Sequence, residues 1–263
     1  PSTGTNAVKR PLHCTPVASD GGTIDLALFT AQSTTVETVM PHEQLELSND
    51  QLLSTTRAVR KRLDFDRAVP ESVIKECMEI AIQAPTGSNA QGWQFMFVTD
   101  EAKRTKIGEI YQRAFSVYRE MPVAIHKLHM DSSDNSLTQS QQRSASSADY
   151  LADHMAQAPV LMIPCIAGRT DNEAGANIIS QTGTLGSIIP AAWNFMLAAR
   201  ARGLGTAWTT LHLMFEQEVA ELLDVPYDEF MQIALIPIAY TVGTDFKPAY
   251  RPPVENIMHF NAW

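Results

Sequence analysis

Apolar residues recur at helical spacing along several stretches of the chain. Val73, Ile74, Cys77, Met78, Ala81 and Ile82 lie three or four apart, the repeat of one helix face. Pro70-Glu71-Ser72 suits the start of that helix, with a proline in the first turn and an acid near the positive end of the dipole. Pro85 stops it, because proline lacks an N–H and restricts the residue before it. Ile107, Ile110, Tyr111 and Phe115 repeat the pattern across Glu101 to Tyr118. Ile189, Trp193, Met196, Leu197 and Ala198 mark the apolar side of a helix from about Gly186 to Ala201, which Gly203-Leu204-Gly205 ends with left-handed backbone angles. Glu216 to Leu223 predicts a further helix.

Other stretches read as strands. Gln94-Phe95-Met96-Phe97-Val98-Thr99 alternates. Val160 to Ile166 is continuously apolar, as in a buried strand, and its internal Pro164 argues for an edge or a bulge. Thr206 to Thr210 reads as a short strand or loop, and Ile233 to Ala239 as a final buried strand. Helices and strands alternate imperfectly and no internal repeat occurs, which predicts an α+β three-layer sandwich.

Two segments lack this patterning. Asp131 to Ala148 is dominated by Ser and Gln and has little to bury. It reads as a mobile stretch, either a lid or binding loop (residues 131–148) or a surface loop without a role. The first forty or so residues are rich in Ser, Thr, Gly and Pro and open at Pro1, without a hydrophobic signal core. Residues 1–45 are expected to form an extension or arm, partly disordered or wrapped on a partner subunit, with residues 46–263 as the functional domain.

At 263 residues and 44% hydrophobic, the chain suits one sizeable domain with a full core. Twenty basic against 29 acidic residues argue against nucleic acid or an anionic membrane as a partner over a broad surface, and no apolar run approaches the roughly 18 residues that span a bilayer. Three cysteines (Cys14, Cys77, Cys165) cannot build a disulfide framework, so a reducing, cytoplasmic setting is the simplest. His126, His129 and His154 lack the spacing or cysteine partners of a metal site, so no metal is expected. No nucleophile elbow or P-loop occurs, and the Gly203 turn lacks the third glycine of a dinucleotide fingerprint.

Three segments carry candidate chemistry. Thr55 to Arg62 packs Arg57, Arg60, Lys61 and Arg62 into six positions, conspicuous in a chain of net charge -9. Arginine forks bind phosphate oxygens in pairs, although an isolated cluster also serves as a solvated basic patch. Ala84-Pro85-Thr86-Gly87-Ser88-Asn89-Ala90-Gln91-Gly92-Trp93 crowds hydroxyls and amides into one turn, with Gly87 free to take unusual angles. Such a loop can hydrogen-bond the edge of a planar heteroaromatic ring, and it reads equally well as an ordinary polar turn. Lys247 to Glu255 is a proline-stiffened tail carrying Arg251.

In this order, with the Gly203-Leu204-Gly205 turn between them, these segments resemble the nitroreductase family of flavoproteins from about Asp50 to the C-terminus. Gly92 stands where that family usually has proline, and Ala58 where many members have a phosphate-binding serine. The resemblance implies a three-layer α/β/α sandwich in a domain-swapped homodimer, with two tightly but non-covalently bound FMN molecules, each touched by both chains. It implies phosphate binding by Arg57, Arg60 and Arg251, with Ala58 and Val59 offering backbone. It implies ring and ribityl contacts from Pro85, Thr86, Ser88, Asn89 and Gln91. Trp208, Thr209 and Thr210 fall beside the ring, and the two threonines are placed where a donor meets flavin N5, as catalytic residues. In the deiodinase branch that place carries a threonine run, but the Asn89-x-Gln91 loop argues against that branch.

The implied reaction is ping-pong. NADPH or NADH reduces the flavin, then a small aromatic acceptor such as a nitroaromatic or quinone takes the electrons, with no obligatory side-chain acid or base. The alternatives are a flavin-dependent dehydrogenase or reductive dehalogenase of one metabolite, or a non-catalytic flavin-binding protein, hinted at by Ala58.

Overall fold

A computed structural model describes residues 42–173 and 175–263. The expected N-terminal arm lies outside these residues apart from 42–45. Those four are held against the folded body: His42 bonds through its backbone N–H and Nδ1 to the Glu76 carboxylate, and Leu45 N–H donates to the Ala201 carbonyl at 2.7 Å.

Among the described residues, six helices and six strands follow in the order α1 (Asn49–Thr55), β1 (Leu63–Asp64), α2 (Glu71–Ala81), β2 (Trp93–Val98), α3 (Glu101–Glu120), α4 (Asn135–His154), β3 (Val160–Ala167), α5 (Ile178–Ala201), β4 (Leu204–Thr206), α6 (Glu216–Leu223), β5 (Phe230–Gln232) and β6 (Ile236–Thr241). The strands form one sheet ordered β1-β6-β3-β2, with β4 paired to β6 and β5 to β3, all antiparallel.

Strand β3 is buried along nearly its whole length, because both faces of the sheet are covered. Leu161, Ile163 and Cys165 pack on one face with Ile107, Ile110, Phe115 and Leu151 of α3 and α4 and Val219 of α6. Val160 and Met162 pack on the other with Val73, Ile74 and Cys77 of α2 and Phe195 and Met196 of α5. This is the expected three-layer α/β/α sandwich, and its continuous apolar strand follows from two covered faces. Cys77 and Cys165 are core residues, their thiols pushed up to about 12 by burial.

Several local expectations change. Pro164 is at neither an edge nor a bulge of its own strand: β2 flanks it on one side, opposite Phe95, and β5 and β6 share the other side. The irregularity belongs to the partner. The expected strand Ile233–Ala239 is broken, and Pro164, which has no N–H to give, faces that break while its carbonyl accepts from Ile233 N–H at 2.9 Å. Helix α5 begins at Ile178, eight residues earlier than the periodicity suggests, because Asn177 caps it by accepting from Ser180 N–H at 2.9 Å. Gly183 and Gly186 are carried inside this helix. Its buried face is also rotated: Ile188, Ala192, Phe195 and Ala199 point inward, while Ile189 and Trp193 are 41% and 39% exposed. A helix with apolar residues on nearly every side offers no periodicity to choose between faces.

The Ser/Gln-rich stretch is not an irregular loop. Most of it is α4, which starts where Asp134 caps the N–H groups of Ser136 and Leu137. Ala145, Leu151 and Ala152 supply its buried contacts. Alanine and leucine at helical spacing suffice to dock a helix whose other faces are polar.

Candidate functional site

The basic run leaves α1 and crosses the sheet end beside β4. Val59 N–H donates to the Thr206 carbonyl at 2.8 Å, forming a parallel bridge between Ala58 and Thr206. Close approach is possible because residue 205 is glycine. A Cβ there would lie 3.0 Å from Val59 Cβ and 2.7 Å from Thr241 Cγ2, inside van der Waals contact. Val59 is buried, which fixes the segment, while Arg57 and Lys61 stay exposed and Arg60 is half-buried.

These residues form one wall of a cleft of about 460 Å³. The lining comprises Arg57 to Arg62, Ser140, Arg143, Ser144 and Ser147 of α4, and Phe246 with Pro248, Ala249 and Tyr250 of the C-terminal segment. Arg57 Nη1 donates to the Lys247 carbonyl at 3.2 Å, and the Tyr250 hydroxyl donates to Asp134 at the cap of α4. Three distant parts of the chain are thereby tied together. Arg60 Nη1 reaches Ser147 Oγ at 3.2 Å and Lys61 Nζ reaches Ser146 Oγ at 2.8 Å.

The cleft is strongly positive. Among the described residues, five cations line it and no carboxylate does. Arg62 is neutralised by Asp245 at 2.8 Å, but among the described residues Arg57, Arg60, Lys61 and Arg143 have no carboxylate partner. Burial pulls the Arg60 pKa below its ordinary value, and Arg57 adds in the same sense against the opposing influence of Tyr111. Tyr111 is itself pushed up to about 12 by burial. Partly desolvated arginines with no counter-ion favour an anionic group with several oxygens, such as a phosphate.

The loop after α2 stands elsewhere. Gly87 N–H donates to Ser187 Oγ of α5 at 3.0 Å, and Gly87, Ser88, Ala90 and Gly92 line a second groove with Ile179, Gly183 and Ser187 of α5. This groove shares no residue with the basic cleft. Gly87 does not use its freedom to take a left-handed conformation. Ser88, Asn89 and Gln91 do, at φ of 54°, 52° and 48°. Three such non-glycine residues in four positions are held by local bonds: Gln91 N–H to Thr86 Oγ1 at 3.2 Å and Gln91 Nε2 to Asn89 Oδ1 at 3.0 Å. Strain of this kind collects where a loop must present its groups in a set arrangement. Pro85, Ser88, Asn89 and Gln91 are exposed and Thr86 half-buried.

The remaining expected residues fall outside the cleft. Thr209 is buried, and its hydroxyl donates to the Leu235 carbonyl at 2.6 Å. Thr210 is exposed. Trp208 is half-buried and packs against core residues on the α5 side of the sheet. Arg251 is exposed, with Nη1 donating to the Tyr250 carbonyl at 2.7 Å. Sequence reading passed over Lys61 and Arg62 as site residues, and missed Arg143, Ser140, Ser144 and Ser147, which α4 delivers to the cleft. The i, i+3, i+4, i+7 spacing of those four was the available signal.

A model of the nitroreductase family matches residues 53–240. The chain belongs to the nitroreductase family. These are flavoprotein oxidoreductases, and the match spans both the basic run and the strained loop. A curated relative, 5,6-dimethylbenzimidazole synthase of Rhodospirillum rubrum, is 26% identical over 159 residues. That match covers 60% of this nitroreductase-family chain and 66% of the relative, just under two thirds of its length. Among solved structures, a BluB-like flavoprotein from Clostridium difficile 630 superposes with a TM-score of 0.60 at 18% identity, over 82% of this chain and all of that one. Oxidized iodotyrosine deiodinase bound to FMN and 3-iodo-L-tyrosine gives 0.58 at 21% identity, over 81% and 98%. A variant of an FMN- and NADPH-dependent nitroreductase from sphigopyxis sp. strain HMH gives 0.60 at 19%, over 82% and 100%. These likenesses establish a shared nitroreductase fold.

Proposed function

We propose that this protein is an FMN-dependent oxidoreductase in which a nicotinamide donor, NADPH or NADH, reduces the flavin and a small aromatic acceptor reoxidises it. The observation that carries this reading is the cleft of unpaired cations built on a segment pinned by Val59 and Gly205. Arg57 and Arg60 would hold the FMN phosphate, with the backbone of Ala58 and Val59 alongside, and Arg251 would join them by turning from its contact with the Tyr250 carbonyl. When bound, FMN supplies reversible hydride acceptance and donation. The chain's own part would be to anchor the phosphate, present hydrogen bonds to the ring edge and leave one ring face accessible.

Thr86, Ser88, Asn89 and Gln91 are the donors and acceptors suited to the ring edge, yet their groove is separate from the basic cleft within one chain. We therefore read the site as composite, with the loop of one protomer meeting the cleft of its partner in a homodimer. Two features of the described residues favour this. Ile189 and Trp193 leave an apolar strip exposed on α5, the helix whose Ser187 accepts a hydrogen bond from Gly87 of the strained loop. Strand β2 ends the sheet, and the tail exposes Ile257, Met258, Phe260 and Trp263, a segment suited to cover a partner. Of the two threonines, Thr209 has its hydroxyl proton committed to Leu235, so a side-chain donor to the flavin would be Thr210, with Thr209 holding the backbone.

Mixed dimers test the composite site. Neither Arg60→Met nor the double variant Ser88→Ala, Asn89→Ala should retain FMN alone. Mixed and re-equilibrated, the two should recover one flavin per mixed dimer. Recovery of none would place both half-sites on the same chain.

A further inference from the structure

The cleft holds more positive charge than a flavin phosphate uses. A phosphate monoester carries about −1.5 to −2 at neutral pH, which two arginines answer. Arg57 and Arg60 fill that need, with Arg251 of the tail joining them on the reading above, and Arg62 is already paired with Asp245. Lys61 and Arg143 remain. Both are associated with α4: Lys61 bonds to Ser146 Oγ at 2.8 Å, and Arg143 stands on the cleft face of the helix with Ser140, Ser144 and Ser147. Those four occur at i, i+3, i+4 and i+7, so they share one helix face. The face combines a guanidinium fork with hydroxyl donors and has no acid on it. An acidic chain of net charge -9 that keeps such a face free of carboxylates creates a local field for an anion.

Resting on the flavin reading above, we propose that Arg143, with Lys61 and the Ser140 and Ser144 hydroxyls, forms a second anion subsite. It would select the molecule that exchanges electrons with the flavin by a carboxylate or phosphate on that molecule. Two sources share this chemistry: a carboxylate on the aromatic acceptor, and the 2′-phosphate that distinguishes NADPH from NADH. Either ligand would present its reactive ring to the flavin and its anionic group to α4, and Arg143 fixes orientation without taking part in electron transfer. Arg143 is thus a specificity-determining residue; where the anion is the acceptor's, a neutral nitroaromatic or quinone would still react but bind less tightly than its carboxylated counterpart.

Equilibrium binding to the FMN-loaded, oxidised protein tests this, followed through the flavin absorbance change. The probe pairs are 4-nitrobenzoate against 4-nitrobenzamide, and NADP⁺ against NAD⁺. FMN affinity is measured first for wild type, Arg143→Gln and Arg143→Lys. Arg143 is exposed, so these variants should fold, and FMN affinity should stay within about twofold. Wild type should prefer the anionic member of one pair by about tenfold, as a charge-assisted fork contact allows. R143Q should cut that preference to about twofold, and R143K should keep part of it. Loss confined to the nitrobenzoate pair assigns the subsite to the acceptor, and loss confined to the nucleotide pair assigns it to the donor. No preference in wild type for either anionic probe would overturn the proposal, as would a preference that survives R143Q. A tenfold loss of FMN affinity in R143Q would also overturn it by returning Arg143 to the flavin phosphate. A wild-type chain that takes up no FMN would refute the flavin reading itself, and the subsite with it, before any probe is added.

Discussion

Replacing Arg60 by methionine should move two measurements in opposite directions. Arg60 is a half-buried cation that, among the described residues, hydrogen-bonds the Ser147 hydroxyl at 3.2 Å and has no carboxylate partner. In the cofactor-free protein its charge is partly desolvated without compensation, so an apolar side chain of similar length should leave stability unchanged or slightly raised. With FMN bound, the same position would donate charge-assisted hydrogen bonds to a phosphate. Such bonds contribute about 1.5–3 kcal/mol, which corresponds to roughly a 10- to 150-fold rise in Kd. Ligand stabilisation scales as RT ln(1 + [L]/Kd). At fixed FMN, the gain in Tm on adding cofactor should therefore shrink by that same free energy, while the apo Tm holds or climbs. Fluorescence titration with FMN and paired thermal melts give both quantities. A variant whose apo Tm falls by several degrees while its FMN Kd is unchanged would make Arg60 a structural residue and refute the phosphate assignment.

Gly205→Ala should lower stability by about 1–3 kcal/mol through overpacking, since its Cβ would meet Thr241 and Val59 at 2.7 and 3.0 Å, and should weaken FMN binding by shifting the basic run. An unchanged melt would show that the Val59 segment does not depend on this approach. The Glu76 carboxyl is held down to about 2 by hydrogen bonds from His42 and Arg202, against some burial. Its contribution to stability is thus present above the ordinary carboxylate range and lost as pH falls from about 4.5 towards 2, so melts of Glu76→Gln and wild type should converge across that window and differ above it. The His212 ring is fully buried, neither of its nitrogens has a hydrogen-bond partner among the described residues, and burial pushes its pKa down to about 3 despite Gln232 beside it. The unfolded chain therefore takes up a proton that the folded one refuses between about pH 6.5 and 3, and His212→Leu should gain on wild type as pH falls through that range; parallel pH curves would contradict this. Trp193→Glu should shift the protein to a monomer by light scattering and release its FMN together, whereas a flavin-loaded monomer would remove α5 from the composite site.

Elements whose apolar residues face one way were legible from sequence. Helices α2 and α3 bury Val73, Ile74 and Cys77, and Ile107, Ile110, Tyr111 and Phe115, as their spacing requires. Legibility failed where local pattern is silent about neighbours. Helix α5 is apolar on most sides, so Ile189 and Trp193 looked like core and instead face outward. Pro164 looked like an edge residue because sequence cannot show that the opposing chain breaks between Gln232 and Ile236. The polar composition of α4 hid a helix, because only Ala145, Leu151 and Ala152 are needed to bury it. Among candidate site residues, the basic run and the strained loop were visible through their chemistry. Arg143 was not, because its position beside that run depends on how α4 docks. The separation of cleft and loop within one chain was equally invisible, since order along the sequence carries no information about which protomer completes a site.

The most direct measurement is an anaerobic absorbance spectrum of the purified protein reconstituted with FMN, recorded before and after adding NADPH and then NADH. A flavin spectrum that bleaches with one donor and returns when a nitroaromatic or quinone acceptor is added is the predicted result, and it identifies the donor. A protein that binds no FMN, or one whose bound flavin is reduced by neither nucleotide, would contradict the proposed reaction.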